Sequence, residues 1–413
     1  MKPLKIAFVV GAFPTVSETF IVNQITSLID KGHSVKIYSY QKGNTQKIHN
    51  SISAYHLLDN VIYKEKPSFN KFKRAFNFLK LILKYLFQIN WSLLFKSLNF
   101  NKYGKKAINL DVFYERKFFI LNKKFDVFHV HFATNAVDIA TYKAEGFLRE
   151  SKLVVTFHGY DINPSKIEFY KAYYKTIFEQ VDYFTVNTIY IKEILLQVYP
   201  KLSNVFILPV GLDTNLFQKK DKNEQPEKPF KIVYCGRLIK LKGADVAVSI
   251  LAELFKRGYK SIILEIIGEG ELRTEIEKKI EIQSLDNFIC LKGRQTQEEI
   301  INSFENAGLF LLPGIKDPFD GRCEAQGLVI QEAQAMELPV VVSDVGGMKY
   351  GVVPNETGFV VKENDIIGFA DKIEFLINNP LFVESMGKKG REFVKKNYDS
   401  KILVKQLLDI YSY

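Results

Sequence analysis

Two carboxylates, Glu324 and Glu332, bracket an almost wholly apolar run in "CEAQGLVIQE". Upstream, "CGRLIKLKG" places Arg237 and Lys242 five residues apart, and "FHGYD" carries His158, Gly159 and Asp161. Near the start, "VVGAFPTVSETF" brings Gly11 and Glu18 close together. An arginine fork and a mobile lysine ammonium are phosphate ligands. Carboxylates are strong acceptors for vicinal hydroxyls. Taken singly, each cluster also reads as ordinary structure: a solvated basic loop, a capped helix, a core histidine. Taken together they suit a ligand that joins phosphate to sugar or ribose.

Absences narrow the chemistry. No Asp-x-Asp occurs, so a two-carboxylate metal clamp of that type is unsupported and no metal is expected. "GEGELR" at 268 lacks the third glycine of a dinucleotide fingerprint, and no P-loop or G-x-S-x-G is present. All six histidines lie at or before residue 158, so any histidine in the chemistry comes from the first half. Cys235, Cys290 and Cys323 are scattered without CxxC spacing, which suggests neither disulfides nor zinc.

These residues must be positioned by elements that alternate along the chain. "LKIAFVV" is strand-like, followed by a loop containing Gly11, and then by a helix with Thr15 and Glu18 at capping-box spacing. Later runs such as "FDVFHVHFA" and "KLVVTFHG" repeat the buried-strand signature, with helical stretches between. After a charged stretch, "QKKDKNEQPEKP", the alternation restarts at "KIVYCGRL". Strands alternating with helices imply parallel sheets covered on both faces. The expectation is α/β: two doubly wound Rossmann-like domains facing across a cleft, with ligands at the carboxyl ends of strands. The first spans 1–213, a linker 214–230, the second 231–392, and a final helix over 393–413 packs back on the first domain. "LFLLPG" reads as a strand and the helix after it starts near Gly327. Glu324 then precedes the helix and Glu332 falls in its second turn, where side chains lean back toward the N-terminus.

Charge is uneven. Between Val61 and Lys124 there are 15 Lys/Arg against 3 acids, an excess that accounts for the whole net charge of +11. Within residues 71–88, Lys73, Lys80 and Lys84 share one stripe, with Phe72, Phe76, Leu79, Leu83 and Leu86 on other faces. That pattern suits an anionic membrane surface met through residues 71–100, or packing against the first domain with the lysines in water. No recognised nucleic-acid module occurs, and no nucleic-acid partner is expected. No uncharged run is long enough to span a bilayer, and the N-terminal apolar run reads as a strand, not a signal peptide. The expected location is cytoplasmic, peripheral at the inner face of the cell membrane.

In order and spacing, "GAFPTVSETF", "FHGYD", "GRLIKLKG", "GEGELR" and "EAQGLVIQE" resemble the retaining glycosyltransferases of family 4, which have the two-domain GT-B fold. The "FPTVSETFI" opening looks especially like members that build bacterial exopolysaccharide or capsule. The resemblance implies a nucleotide-sugar donor, UDP- or GDP-linked, no further cofactor, and a glycan or lipid-linked acceptor. It matches Arg237, Lys242, Gly327, Leu328 and Gly11 to the donor diphosphate, and Glu332 to the ribose. Glu324 and His158 match the residues at the transferred sugar, Arg294 the vicinity of the base, and Glu18 and Asp161 the acceptor side. Three positions depart from the family pattern: Ala325 and Glu337 replace usual glycines, and Tyr350 replaces a frequent acid. The alternatives are a nucleotide-sugar epimerase on the same plan, or a non-catalytic protein binding membrane or nucleic acid through its basic segment.

Overall fold

The computed structural model describes residues 2–15, 18–44, 50–65, 67–122, 124–148, 150–219 and 229–413. Most of the charged stretch read as a linker, residues 220–228, lies outside the described residues. The first half builds a seven-stranded sheet from β1 (Lys5–Phe13), β2 (Ser34–Lys42), β3 (Val61–Tyr63), β4 (Val127–His131), β5 (Lys152–Phe157), β6 (Tyr183–Val186) and β7 (Val205–Ile207). Its order is β3-β2-β1-β4-β5-β6-β7, with every pairing parallel. The second half builds a six-stranded parallel sheet from β8 (Phe230–Cys235), β9 (Ile262–Ile267), β10 (Ile289–Gly293), β11 (Leu309–Leu312), β12 (Val340–Ser343) and β13 (Gly358–Val361). Its order is β10-β9-β8-β11-β12-β13. In each sheet the order reverses beside the first strand, which opens a crevice at the strand ends.

Alternation along β1 shows why the first sheet must be covered twice. Ala7 and Val9 join one apolar cluster, while Ile6, Phe8 and Val10 join another on the opposite face. That second cluster is completed by Leu403, Val404, Leu407, Leu408 and Tyr411, from the helix Ser400–Ser412 at the end of the chain. The chain therefore crosses from the second domain back to the first. The crossing falls at Tyr398–Asp399 instead of residue 393, because residues 380–397 form one continuous helix of the second domain. The two crossings are stitched side by side: the Leu212 N–H donates to Tyr398 O at 3.0 Å, and the Ser400 N–H to Leu212 O at 3.0 Å.

Three local expectations change. β1 runs on to Phe13, so Gly11 sits inside the strand and not in a following loop. The first helix begins at Thr19 with Glu18 at its N-cap, so Thr15 does not cap it. The short strands β3 and β13 escaped the sequence reading; three or four residues give too little periodicity to see. Glu337, where a helix-ending glycine is usual, adopts the left-handed conformation all the same, at φ 60°.

Candidate active site

The loop between β11 and the helix Leu328–Ala335 carries Glu324, and three contacts hold it. One carboxylate oxygen receives the Lys242 ammonium, and the other accepts the Gly327 N–H at 3.1 Å. The Glu324 carbonyl accepts the Gly347 N–H at 2.7 Å. The diglycine after β12 is required by this approach: a Cβ on Gly347 would lie 1.7 Å from Ala325 O, and one on Gly346 2.4 Å from Glu324 O. Burial alone would raise the Glu324 pKa, but the Lys242 ammonium and the Gly327 and Gln326 N–H groups outweigh it and hold the carboxyl below its ordinary range. Glu324 is thus an anion fixed at the mouth of a helix.

The basic loop divides its charges. Lys240 is spent on Glu275 at 2.7 Å and Asp245 at 3.6 Å, so it holds the loop to the domain. Lys242 turns to Glu324, while Arg237 is exposed and ion-paired with no described residue. Leu328 opens the helix with Gly327 as its N-cap, which leaves the helix N-terminus beside the Lys242–Glu324 pair. Glu332, half-buried in the second turn, has its pKa pushed up to about 7 by burial. The charges of Glu332 and Lys242 both act on the thiol of Cys235 at the end of β8, after the dominant effect of burial. The two carboxylates and the lysine therefore share one strand end. Arg294 is exposed immediately after β10, two strands away from β8.

On the first-domain side, His158 follows β5. Its Nε2 lies 3.0 Å from His131 Nδ1, and its ring is flanked by Phe20 and Phe132 at centroid distances of 4.9 and 4.5 Å. Burial drives the His158 pKa down to about 3, so the imidazole is neutral at physiological pH. The ring lines a cavity of about 40 Å³ shared with Phe20, Gln24, His131, Asn187 and Val210. A Cβ on Gly11 would meet the Asn135 side chain, nearest at Oδ1 at 3.4 Å, an ordinary contact.

Asp161 does not sit as an acceptor-side group would. It is buried, with one oxygen accepting the His158 and Gly159 N–H groups, each at 3.0 Å, and the other the Ala133 N–H at 2.7 Å. It shapes the turn that presents His158. Burial raises its pKa to about 6 against the pull of these N–H groups. Glu18 is partly buried at the N-cap of the first helix, and burial raises its pKa while a hydrogen bond from Thr15 opposes the rise.

Several residues of this site were not singled out from sequence. His129 and His131 alternate on β4 and point to the same face; the "HVH" spacing was the available signal. His129 bonds Tyr411 Oη at 2.6 Å and Thr156 Oγ1 at 2.7 Å. Gln326 spans the domains by donating to Val210 O and accepting from the Val210 N–H, both at 2.8 Å. Thr188 donates to Ala325 O at 2.8 Å. No local pattern announces the contacts of His129 with Tyr411, Gln326 with Val210 and Thr188 with Ala325, since each joins residues more than a hundred positions apart.

Two facing parallel-sheet Rossmann-like domains define the GT-B class of glycosyltransferases. A family model described as "Glycosyltransferase Family 4" matches residues 17–216, and one described as "Glycosyl transferases group 1" matches residues 217–393. Together the two matches span residues 17–393 and support a family-4-like glycosyltransferase. It is 28% identical over 413 residues to WcaL of Salmonella typhimurium, assigned as a colanic acid biosynthesis glycosyltransferase, covering 98% of this chain and 99% of the relative. It is 27% identical over 416 residues to the amylovoran biosynthesis glycosyltransferase AmsK of Erwinia amylovora, with the same coverage. Among solved structures, a glycosyltransferase from Rickettsia africae superposes with a TM-score of 0.71 at 20% identity, covering 100% of this chain and 98% of that one. Anabaena HepE in complex with UDP superposes with a TM-score of 0.71 at 13% identity over 99% of both chains. At these identities the two structures speak for the fold.

Proposed function

We propose that this glycosyltransferase moves a sugar from a nucleotide-diphosphate sugar to a hydroxyl of a glycan or lipid-linked acceptor, with retention, in bacterial surface polysaccharide synthesis. The observation that carries the reading is the Lys242–Glu324 pair at the N-terminus of the helix Leu328–Ala335, with Arg237 free beside it. Full-length similarity to the colanic acid and amylovoran transferases supports the polysaccharide assignment. The complex of HepE with UDP, on the same fold, supports a uridine or related nucleotide donor.

In this reading the diphosphate lies across Arg237, Lys242 and the helix N-terminus, with Gly327 and Leu328 offering backbone N–H groups and Gly11 closing from the first domain. Those preorganised cations and dipoles stabilise charge developing on the departing phosphate, so no metal is required. Glu332 accepts from the ribose hydroxyls, and Arg294 flanks the base. Glu324 contacts the transferred sugar from one side and neutral His158 from the other. The departing phosphate oxygen takes the acceptor proton on the face it leaves, which preserves the anomeric configuration. The acceptor is presented at an anionic membrane surface met by the first domain.

The test is to screen UDP- and GDP-sugars for binding by calorimetry, then follow transfer from the tightest donor by NMR in the presence of EDTA. Transfer with the donor's anomeric configuration kept and no loss on chelation is the expected result. An inverted product or strict dependence on Mn²⁺ overturns the mechanism.

A further inference from the structure

The helix Lys71–Lys84 has two apolar faces, and only one of them is used by the fold. Phe78, Leu81, Ile82 and Tyr85 pack against the first-domain core, Phe78 meeting Phe113 edge-on at 4.7 Å. Arg74 ties the helix start to Asp111 at 2.6 Å and to Asn109 O at 2.7 Å. The helix is therefore held in one orientation. Its outer face carries Phe72, Phe76, Leu79 and Leu83, the i, i+4, i+7, i+11 spacing of a single helical stripe. Phe69 and Phe87 flank the helix at either end, and all six side chains are between 58 and 98% exposed. Lone exposed apolar residues need no explanation, but a row of four on one helix face with two more flanking it does.

Charge says what covers the row. From residue 67 to residue 110 the chain has nine Lys/Arg and no acid. Lys73, Lys80 and Lys84 lie together about 100° around the helix from the stripe, exposed and ion-paired with no described residue. Lys71, Lys102, Lys105 and Lys106 are exposed in the same way. A protein partner could match the apolar row. An unbroken cationic border beside an apolar face instead fits an anionic bilayer, with acyl chains at the centre and phosphates at the rim. Among the described residues no helix is long and apolar enough to cross a membrane, so this face lies in the interface plane.

We infer that the Phe69–Phe87 stripe inserts among the acyl chains of an anionic bilayer while the neighbouring lysines engage its phosphates. This deepens the reading of a membrane-presented acceptor and rests on that reading for its purpose, though its test needs neither donor nor acceptor. The full chain is floated with vesicles of phosphatidylcholine alone and of phosphatidylcholine with phosphatidylglycerol. Binding is expected to the anionic vesicles, weakened but not abolished by high salt. The triple variant Phe72→Ser, Phe76→Ser, Leu83→Ser should bind at least about tenfold more weakly, because burial of these side chains supplies the salt-resistant part. All three are solvent-facing, so its melting temperature should match wild type. In a Trp91→Phe background, Phe76→Trp should be quenched by lipids brominated on the acyl chain. Complete loss of binding in salt, unaltered binding by the triple variant, or an unquenched Trp overturns the insertion. So does concentration-dependent dimerisation that the triple variant abolishes, which would make a second copy the occupant. Transfer to a water-soluble acceptor should survive in the triple variant; absence of transfer from wild type would sink the enzymatic reading alone.

Discussion

Gly159 of the first domain and Ala325 of the second stand so close that a Cβ built on Gly159 would come within 2.4 Å of the Ala325 Cβ. Gly159 also holds φ at 98°, which disfavours any side chain there. Ala325 stands where the family resemblance implies a glycine, and its methyl is met by Gly159, which has no side chain. Gly159→Ala should therefore hold the domains apart at the catalytic face. Transfer is expected to fall roughly 10²-fold, as for an ångström-scale misplacement, with nucleotide affinity nearly unchanged. Steady-state kinetics beside UDP or GDP calorimetry separates the two, and an equal loss of affinity would contradict it.

Glu324→Gln removes the anion but keeps the shape. Transfer should drop by ~10² or more while the second domain still binds nucleotide. Near-normal turnover would remove Glu324 from the chemistry. Lys242→Ala, by contrast, leaves a buried carboxylate without its cation, so the Glu324 pKa should rise and thermal stability at neutral pH should fall.

Glu332 gives a pH signature with a definite sign. Burial raises its folded pKa from 4.5 to about 7, so between those values the folded state holds a proton that the unfolded chain has lost. Its contribution to stability is complete below pH 4.5 and is lost as pH rises through 7. Glu332→Gln should leave the melting temperature unchanged at acid pH and raise stability at pH 8 by on the order of 2 kcal/mol, in ligand-free protein. The same variant should bind nucleotide more weakly. In wild type, ribose binding favours the ionised carboxylate and should release protons near pH 6.5, measurable by calorimetry in two buffers.

Asp161→Ala leaves the N–H groups of Ala133, His158 and Gly159 without their acceptor. A loss of about 2–3 kcal/mol in chemical denaturation is expected from unsatisfied buried donors, together with reduced turnover as the His158 turn relaxes. A stable, fully active variant would show that the turn holds itself.

The alternating strands and helices were legible because apolar runs of strand length and amphipathic helices each leave a local period. The loops bearing Arg237, Lys242 and Glu324 were legible for a related reason: in such folds polar residues after a strand can only sit at its carboxyl end. Sequence alone therefore determined the two-sheet architecture and placed Arg237, Lys242 and Glu324 after strands of the second sheet. Tertiary structure decided who meets whom. That Lys242 and not Lys240 pairs with Glu324, that Asp161 ties its turn to Ala133, and that Gly159 makes room for Ala325 all depend on contacts between distant segments. So does the exposure of the Phe72–Leu83 stripe: periodicity shows that a helix has apolar faces, but only packing determines which of them the rest of the chain covers.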